Sequence, residues 1–239
     1  MNLYLAWKNP QTKVSIPIGI LTYDNENKVY KFSYLANALM ANKLYEFEPL
    51  FNFPDFFTTY SSTKLPPFFS NRILNKNREE YKNYMAELGL SLSDYNPLKE
   101  LGLTEGIRQT DPYSTFLINT NSQSSCIQFF LISGSLLIES NILNHYLVDD
   151  KLTLTVCNNH KVLIYHNDIF LGYMPKFLLN LFSLRDTLNN TWLNDKSINL
   201  VIHKINNSSI KENFKILCKL EFSNSLFQDI IIKKCLYPI

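Results

Sequence analysis

Leu152-Thr-Leu-Thr-Val156, Asn158-Asn159-His160-Lys161, Val162-Leu-Ile-Tyr165, a tip at His166-Asn167-Asp168, and then Gly172-Tyr173-Met174-Pro175-Lys176 form the centre of the second half of the chain. Two short runs rich in β-branched and aliphatic residues, separated by polar turn formers, predict paired strands. Pro175 sets φ for the start of a helix expected over residues 177–188. Around this centre, residues 126–132, 135–139, 197–204 and 215–222 also read as strands. A half with many short strands and one main helix suits a small β-barrel.

The first third has a different texture. Residues 3–7, 14–21 and 29–34 read as strands of a β-meander, joined at Asn9-Pro10 and at Asp24-Asn25-Glu26-Asn27. Ile16, Ile18 and Ile20 alternate along one strand, and Phe32 and Tyr34 flank Ser33 on the next, so the two rows are expected to share one core. Residues 35–44 have helical spacing. The run Phe47, Pro49, Phe51, Phe53, Pro54, Phe56, Phe57 carries too many prolines for a strand and predicts an ordered aromatic lid on the sheet. Residues 79–88 read as a helix with Tyr81, Tyr84, Met85 and Leu88 on one face, stopped at Gly89. A short helix is expected at 98–103. Turn formers at 109–113 then place a boundary between separable domains 1–112 and 113–239. The class is α+β: a small N-terminal antiparallel sheet with trailing helices, then a β-barrel with one main helix.

Composition narrows the chemistry. A chain of 239 residues with 46% hydrophobic content is enough for two compact domains or one large one. Its net charge is only +2, with 12 basic and 12 acidic residues up to Ser114 and 11 against 9 beyond, so any nucleic-acid contact must come from a local patch. Six glycines leave no Gly-rich phosphate cradle, and no catalytic-loop or metal-binding kinase motif is present. Cys126, Cys157, Cys218 and Cys235 are far apart and have no metal-ligand spacing, so reduced thiols, no metal and no cofactor are expected. His145, His166 and His203 are isolated. The first ten residues lack a basic segment followed by an apolar core, and no apolar run approaches the roughly 20 residues of a membrane span, which predicts a cytoplasmic protein without membrane contact.

The order strand, polar turn, strand, short tip and then Phe170-Leu-Gly-Tyr-Met-Pro-Lys176 opening a helix resembles a HIRAN domain. The resemblance implies a small β-barrel that holds DNA, often at the end of a single strand. Such domains carry an Asn-Pro-Tyr-Asp-type segment before the second strand. Here Asn159-His160 stands in a shortened version, without the aromatic and the carboxylate that grip a strand end. Over residues 3–90, the segments VSIPIGILT, YKFSYL, FEPLFNFPDF and LPPFFSNRIL resemble the N-terminal subdomain of HipA-type toxin kinases, with no kinase domain following. That second resemblance implies a non-catalytic sheet which, in some systems, exists as a separate protein restraining its kinase partner.

Candidate binding residues follow from both. Asn158, Asn159, His160 and Lys161 can place amides, an imidazole and an ammonium around a phosphate or base, and are equally ordinary hairpin residues. Tyr173 and Lys176 flank a helix entry where free amides favour an anion, and Tyr165 adds a ring. In the first domain Phe68, Phe69, Asn71, Arg72 and Arg78 form an aromatic and basic cluster, read either as a contact surface for a partner or as core rings beside a solvated helix start. No nucleophile, acid–base pair or catalytic residue stands out. The expectation is therefore a non-catalytic bacterial DNA-binding accessory protein. Its alternative is an antitoxin-like, regulatory protein-interaction module docking a HipA-type kinase or another effector through the first domain.

Overall fold

The first strand, β1 (Asn2–Lys8), lies in the middle of a sheet, antiparallel to β2 (Ser15–Asp24) on one side and to β5 (Tyr113–Thr120) on the other. Its sequence permits this because both faces are apolar. Leu3, Leu5 and Trp7 alternate with Tyr4 and Ala6, all five are buried, and the two-residue period of a strand sends the two sets into different cores. The computed structural model describes residues 1–93, 95–133, 146–157, 161–175, 178, 198–206 and 214–224. Within these, β3 (Val29–Tyr34) and β4 (Tyr60–Ser62) extend the sheet beyond β2, while β6 (Ser124–Phe130), β12 (Ile216–Ser223) and β11 (Asn199–Ile205) extend it beyond β5, giving eight strands in all. A second sheet has four strands in the order β7 (Ile132–Ser133), β10 (Ile169–Tyr173), β9 (Lys161–His166) and β8 (Thr153–Cys157). Both sheets are antiparallel throughout.

One face of the larger sheet is covered by α1 (Ala36–Tyr45), the aromatic loop after it, α2 (Pro67–Ser70) and α4 (Pro97–Thr104), which meet Leu3, Leu5, Ile18, Phe32 and Leu117 in one core. The other face packs on the smaller sheet, where Phe116, Ile127, Phe129 and Leu220 meet Val162, Ile164 and Leu171. The α+β class expected from the sequence is what this architecture is. Backbone hydrogen bonding also passes between the sheets at two corners. Leu131 N–H donates to Ile216 O (3.0 Å) just before β7, and segment 149–152 bonds β11 through Asp149 N–H to Ile202 O (2.8 Å) and Leu152 N–H to Leu200 O (2.9 Å).

At the boundary expected between domains 1–112 and 113–239, Tyr113 begins the strand that pairs with the free edge of β1. A second tie crosses the same boundary. The last turn of α3 (Tyr81–Glu87) leaves orphan carbonyls, which any helix must satisfy from outside. Lys204 donates to Ala86 O and Asn206 Nδ2 to Glu87 O (2.7 Å), both from the far end of the chain. Gly89 follows with φ 74°, the left-handed stop read from the sequence. Close packing of α4 on β5 depends on Gly102, where an added Cβ would stand 2.4 Å from Leu117 Cβ.

The expected row of isoleucines is broken. Ile16 and Ile18 join the helix-side core, whereas Ile20 packs toward the smaller sheet. The register explains it: Leu5 pairs with Gly19 and Ala6 with Pro17, leaving Ile18 as the extra residue of a β-bulge that reverses the alternation, next to a proline with no N–H to give a ladder. The lid is ordered as expected, with Phe47 and Phe53 buried and its backbone held by Tyr34, whose hydroxyl donates to Phe53 O (2.9 Å) and accepts from Leu50 N–H (2.7 Å). Phe51 and Phe57 depart from it, being 97% and 82% exposed. The helix expected at 177–188 and the strand at 135–139 lie outside the described residues, apart from Leu178. No helix among those described is long and apolar enough to cross a membrane.

Candidate nucleic-acid interface

The hairpin β9–β10 is closed by Asn167 and Asp168, both left-handed at φ 45° and 65°, the two-residue turn that matches the natural twist of paired strands. The register set by this turn pairs His166 with Ile169 and Tyr165 with Phe170. Val162 and Ile164 enter the core between the sheets, so Lys161, Leu163 and Tyr165, one position out of phase, face away from it. On β10 a bulge at Leu171 turns that side chain into the core and keeps Phe170 and Tyr173 half-buried beside Tyr165.

The result is a strip of touching rings with a cation at one end. Tyr165 and Phe170 have centroids 5.6 Å apart, Phe170 and Tyr173 5.1 Å, and the Lys161 ammonium stands 4.9 Å from the centroid of Tyr173. A cation at this range is held by the negative face of the ring. At the other end the tip is less basic: His166 Nε2 lies 3.4 Å from an Asp150 carboxylate oxygen, edge-on to Tyr146 at 5.1 Å. The Tyr146 hydroxyl is buried without a hydrogen-bond partner among the described residues, and burial raises its pKa. Chemically, such a strip can stack flat unsaturated rings and pair one phosphate; it has no arrangement for reading base edges.

Of the residues predicted for this site, Lys161, Tyr165 and Tyr173 come together, while Asn158, Asn159, His160 and Lys176 lie outside the described residues. Phe170, the ring that joins Tyr165 to Tyr173, was not among them. Counting back from a two-residue turn at 167–168 places it opposite Tyr165, so the signal was in the hairpin.

The cluster predicted in the first domain is dispersed. Phe69 is fully buried in the helix-side core. Arg72 is 2% exposed, its guanidinium donating to Phe68 O (3.1 Å), Gly106 O (2.8 Å) and Asp111 Oδ2 (2.6 Å) and stacked 4.3 Å from the centre of the Phe68 ring. Of the two readings, Phe69 fits the core ring, whereas Arg72 is neither solvated nor presented to a partner: an apolar ring and an arginine donating three hydrogen bonds tie this segment down. Phe68 is half-buried, and Asn71 and Arg78 remain exposed, Arg78 near Glu80 at 3.3 Å. The neighbouring Lys76 covers the Tyr95 ring at 3.9 Å. Tyr95 in turn donates to buried Glu100 (2.8 Å), which also accepts Leu74 N–H (3.1 Å). Burial raises the pKa of that carboxyl.

No group of three or more His, Cys, Asp or Glu that could hold a metal occurs among the described residues. Burial raises the Cys126 and Cys218 thiols, the opposite of what a nucleophilic thiolate needs. Comparison with models of known protein families, with curated proteins and with solved structures finds no match for this chain.

Proposed function

We propose that this protein is a non-catalytic DNA-binding accessory protein that holds single-stranded DNA, or the frayed end of a duplex, against the outer face of β9 and β10. The observation that carries the reading is the unbroken strip Tyr165–Phe170–Tyr173 ending under the Lys161 ammonium. Bases stack on aromatic rings whatever their identity, and a lysine at the end of the row pairs the backbone. The two corners at which backbone hydrogen bonds link the sheets support a HIRAN-like barrel for the second half, since they lead from β6 through β7, β10, β9, β8 and segment 149–152 to β11 and β12 and back to β6. With the Tyr-Asp grip of such domains absent from the sequence, strand ends have no dedicated pocket in this reading.

The test is fluorescence anisotropy with single-stranded, duplex and 3′-overhang DNA across a salt series. The single strand is expected to bind with modest affinity and little sequence preference, and capping its 3′-hydroxyl to change affinity less than about threefold. Lys161→Ala with Lys176→Ala should lower the salt slope by about one to two phosphate contacts on every sequence alike. Absence of salt-dependent binding to any of the three would discard the reading.

A second reading, an antitoxin-like or regulatory module docking a HipA-type kinase or other effector through the N-terminal part, is favoured by one observation. Phe51 and Phe57 project from an otherwise ordered loop, among the exposed acids Glu46, Glu48 and Asp55, and single rings this exposed are common anchors of protein interfaces.

A further inference from the structure

On the side of the larger sheet away from β9 and β10, the segment just after α3, helix α4 and strands β5, β6 and β11 line an open pocket of about 250 Å³. Its floor is apolar, from Leu103 and Leu117. Its polar lining is Lys99, Asn119, Gln128 and His203, and no residue that lines it is acidic. These side chains converge for topological reasons. Lys99 and Leu103 share a face of α4, four residues apart. Asn119 and Gln128 alternate with Ile118, Ile127 and Phe129, which are committed to the core between the sheets, so they must face the helices. Gly89 and Gly102, both in the wall, keep the neighbouring backbone free of Cβ atoms.

Lys204, the next cation along β11, is already bound to Ala86 O, but among the described residues neither the Lys99 ammonium nor the Gln128 amide has a hydrogen-bond partner. Asn119 is already hydrogen-bonded to Cys126, so an ammonium and one amide without partners among the described residues, over apolar Leu103 and Leu117, call for an anionic head on a short apolar body. The volume is that of roughly eight water molecules, below the usual range of ligand pockets, which admits a small metabolite and excludes a nucleotide.

We propose that this pocket binds a small anionic ligand, a short-chain carboxylate or phosphate ester, with its charge on Lys99 and the amide of Gln128 and its hydrocarbon over Leu103 and Leu117. The site is independent of the DNA-binding strip and would survive the failure of that reading.

The test follows the amide signals of Gly89 and Gly102 by nuclear magnetic resonance while isotopically labelled full-length protein is titrated with hexanoate, butyl phosphate and 1-hexanol. One of the two anions should shift both signals saturably, and whichever binds tighter assigns the head group. The uncharged alcohol should bind about tenfold more weakly, because a charge-assisted contact is lost. Lys99→Met should weaken the anion by the same factor and leave the alcohol unchanged, while Lys99→Arg keeps most of the affinity. Equal affinity for hexanoate and 1-hexanol, or no shift at Gly89 and Gly102 with either anion, overturns the proposal. Since that comparison uses the unmodified chain, it decides the matter even if a variant fails to fold.

Discussion

Arg72 and Asp111 are joined across a gap of 39 residues by a 2.6 Å ion pair in which the arginine is almost wholly enclosed. The guanidinium fork also holds two carbonyls and lies on Phe68, so its removal strands one carboxylate and two acceptors at once. Arg72→Ala is expected to cost about 3 kcal/mol in denaturant unfolding. Arg72→Lys should recover little of it, because an ammonium cannot reproduce the planar fork. A variant that unfolds like the parent chain would mean that Arg72 is free for a partner after all.

Residues 1–112 expressed alone should aggregate instead of folding. The fragment would expose the edge of β1 that β5 covers and the Tyr4 and Ala6 face that the smaller sheet buries, and α3 would lose the caps from Lys204 and Asn206. Gel filtration and a denaturant melt check this; a monomeric fragment with a cooperative transition would show that the helix-side core suffices.

Gly102→Ala in a free helix would gain about 1 kcal/mol. Here the new methyl would stand 2.4 Å from Leu117 Cβ and 3.1 Å from its backbone nitrogen, so α4 must move off β5. A net loss of about 2 kcal/mol is expected in chemical denaturation. Shortening Leu117 to Ala should not restore it, since the atom in the way is the one alanine keeps.

Glu105, at the left-handed C-cap of α4, is buried enough that its carboxyl is pushed up to about 7 from an ordinary 4.5. Between those values the folded chain holds a proton that the unfolded chain has released, so stability falls as pH rises through the window, by at most about 3 kcal/mol. Glu105→Gln should flatten that part of the curve in urea unfolding, while the slope of the same sign from Glu100 remains. Parallel curves for the two chains would show that Glu105 ionises normally in the fold.

The elements of the first half could be read from the sequence because each is local: alternation along β3, the glycine stop after α3 and the prolines and rings of the lid all act within a few residues. What escaped was set at a distance. The turn formers at 109–113 mark a bend, and nothing near them tells that Tyr113 begins the partner of β1. The bulge that turned Ile20 away arises from pairing with Leu5 and Ala6, and the enclosure of Arg72 depends on Gly106 and Asp111. At the ring strip, Tyr165 and Tyr173 stood out as aromatic residues near a turn. Phe170 was not singled out, although the turn at 167–168 sets it opposite Tyr165; what has no local signature is the bulge after it, which keeps Tyr173 on the same side while Phe170 also packs on the core between the sheets.

The central position of β1 has a consequence for the order of events during synthesis. That strand leaves the ribosome before both of its neighbours, yet one of them is made more than a hundred residues later, and the loop between them must close before the larger sheet can be completed. Until then β1 can only wait in a hairpin with β2, its other edge open to any strand nearby. Refolding of the intact chain should therefore be slow for its size, and a pause in translation before residue 113 should be a point at which chaperones are engaged.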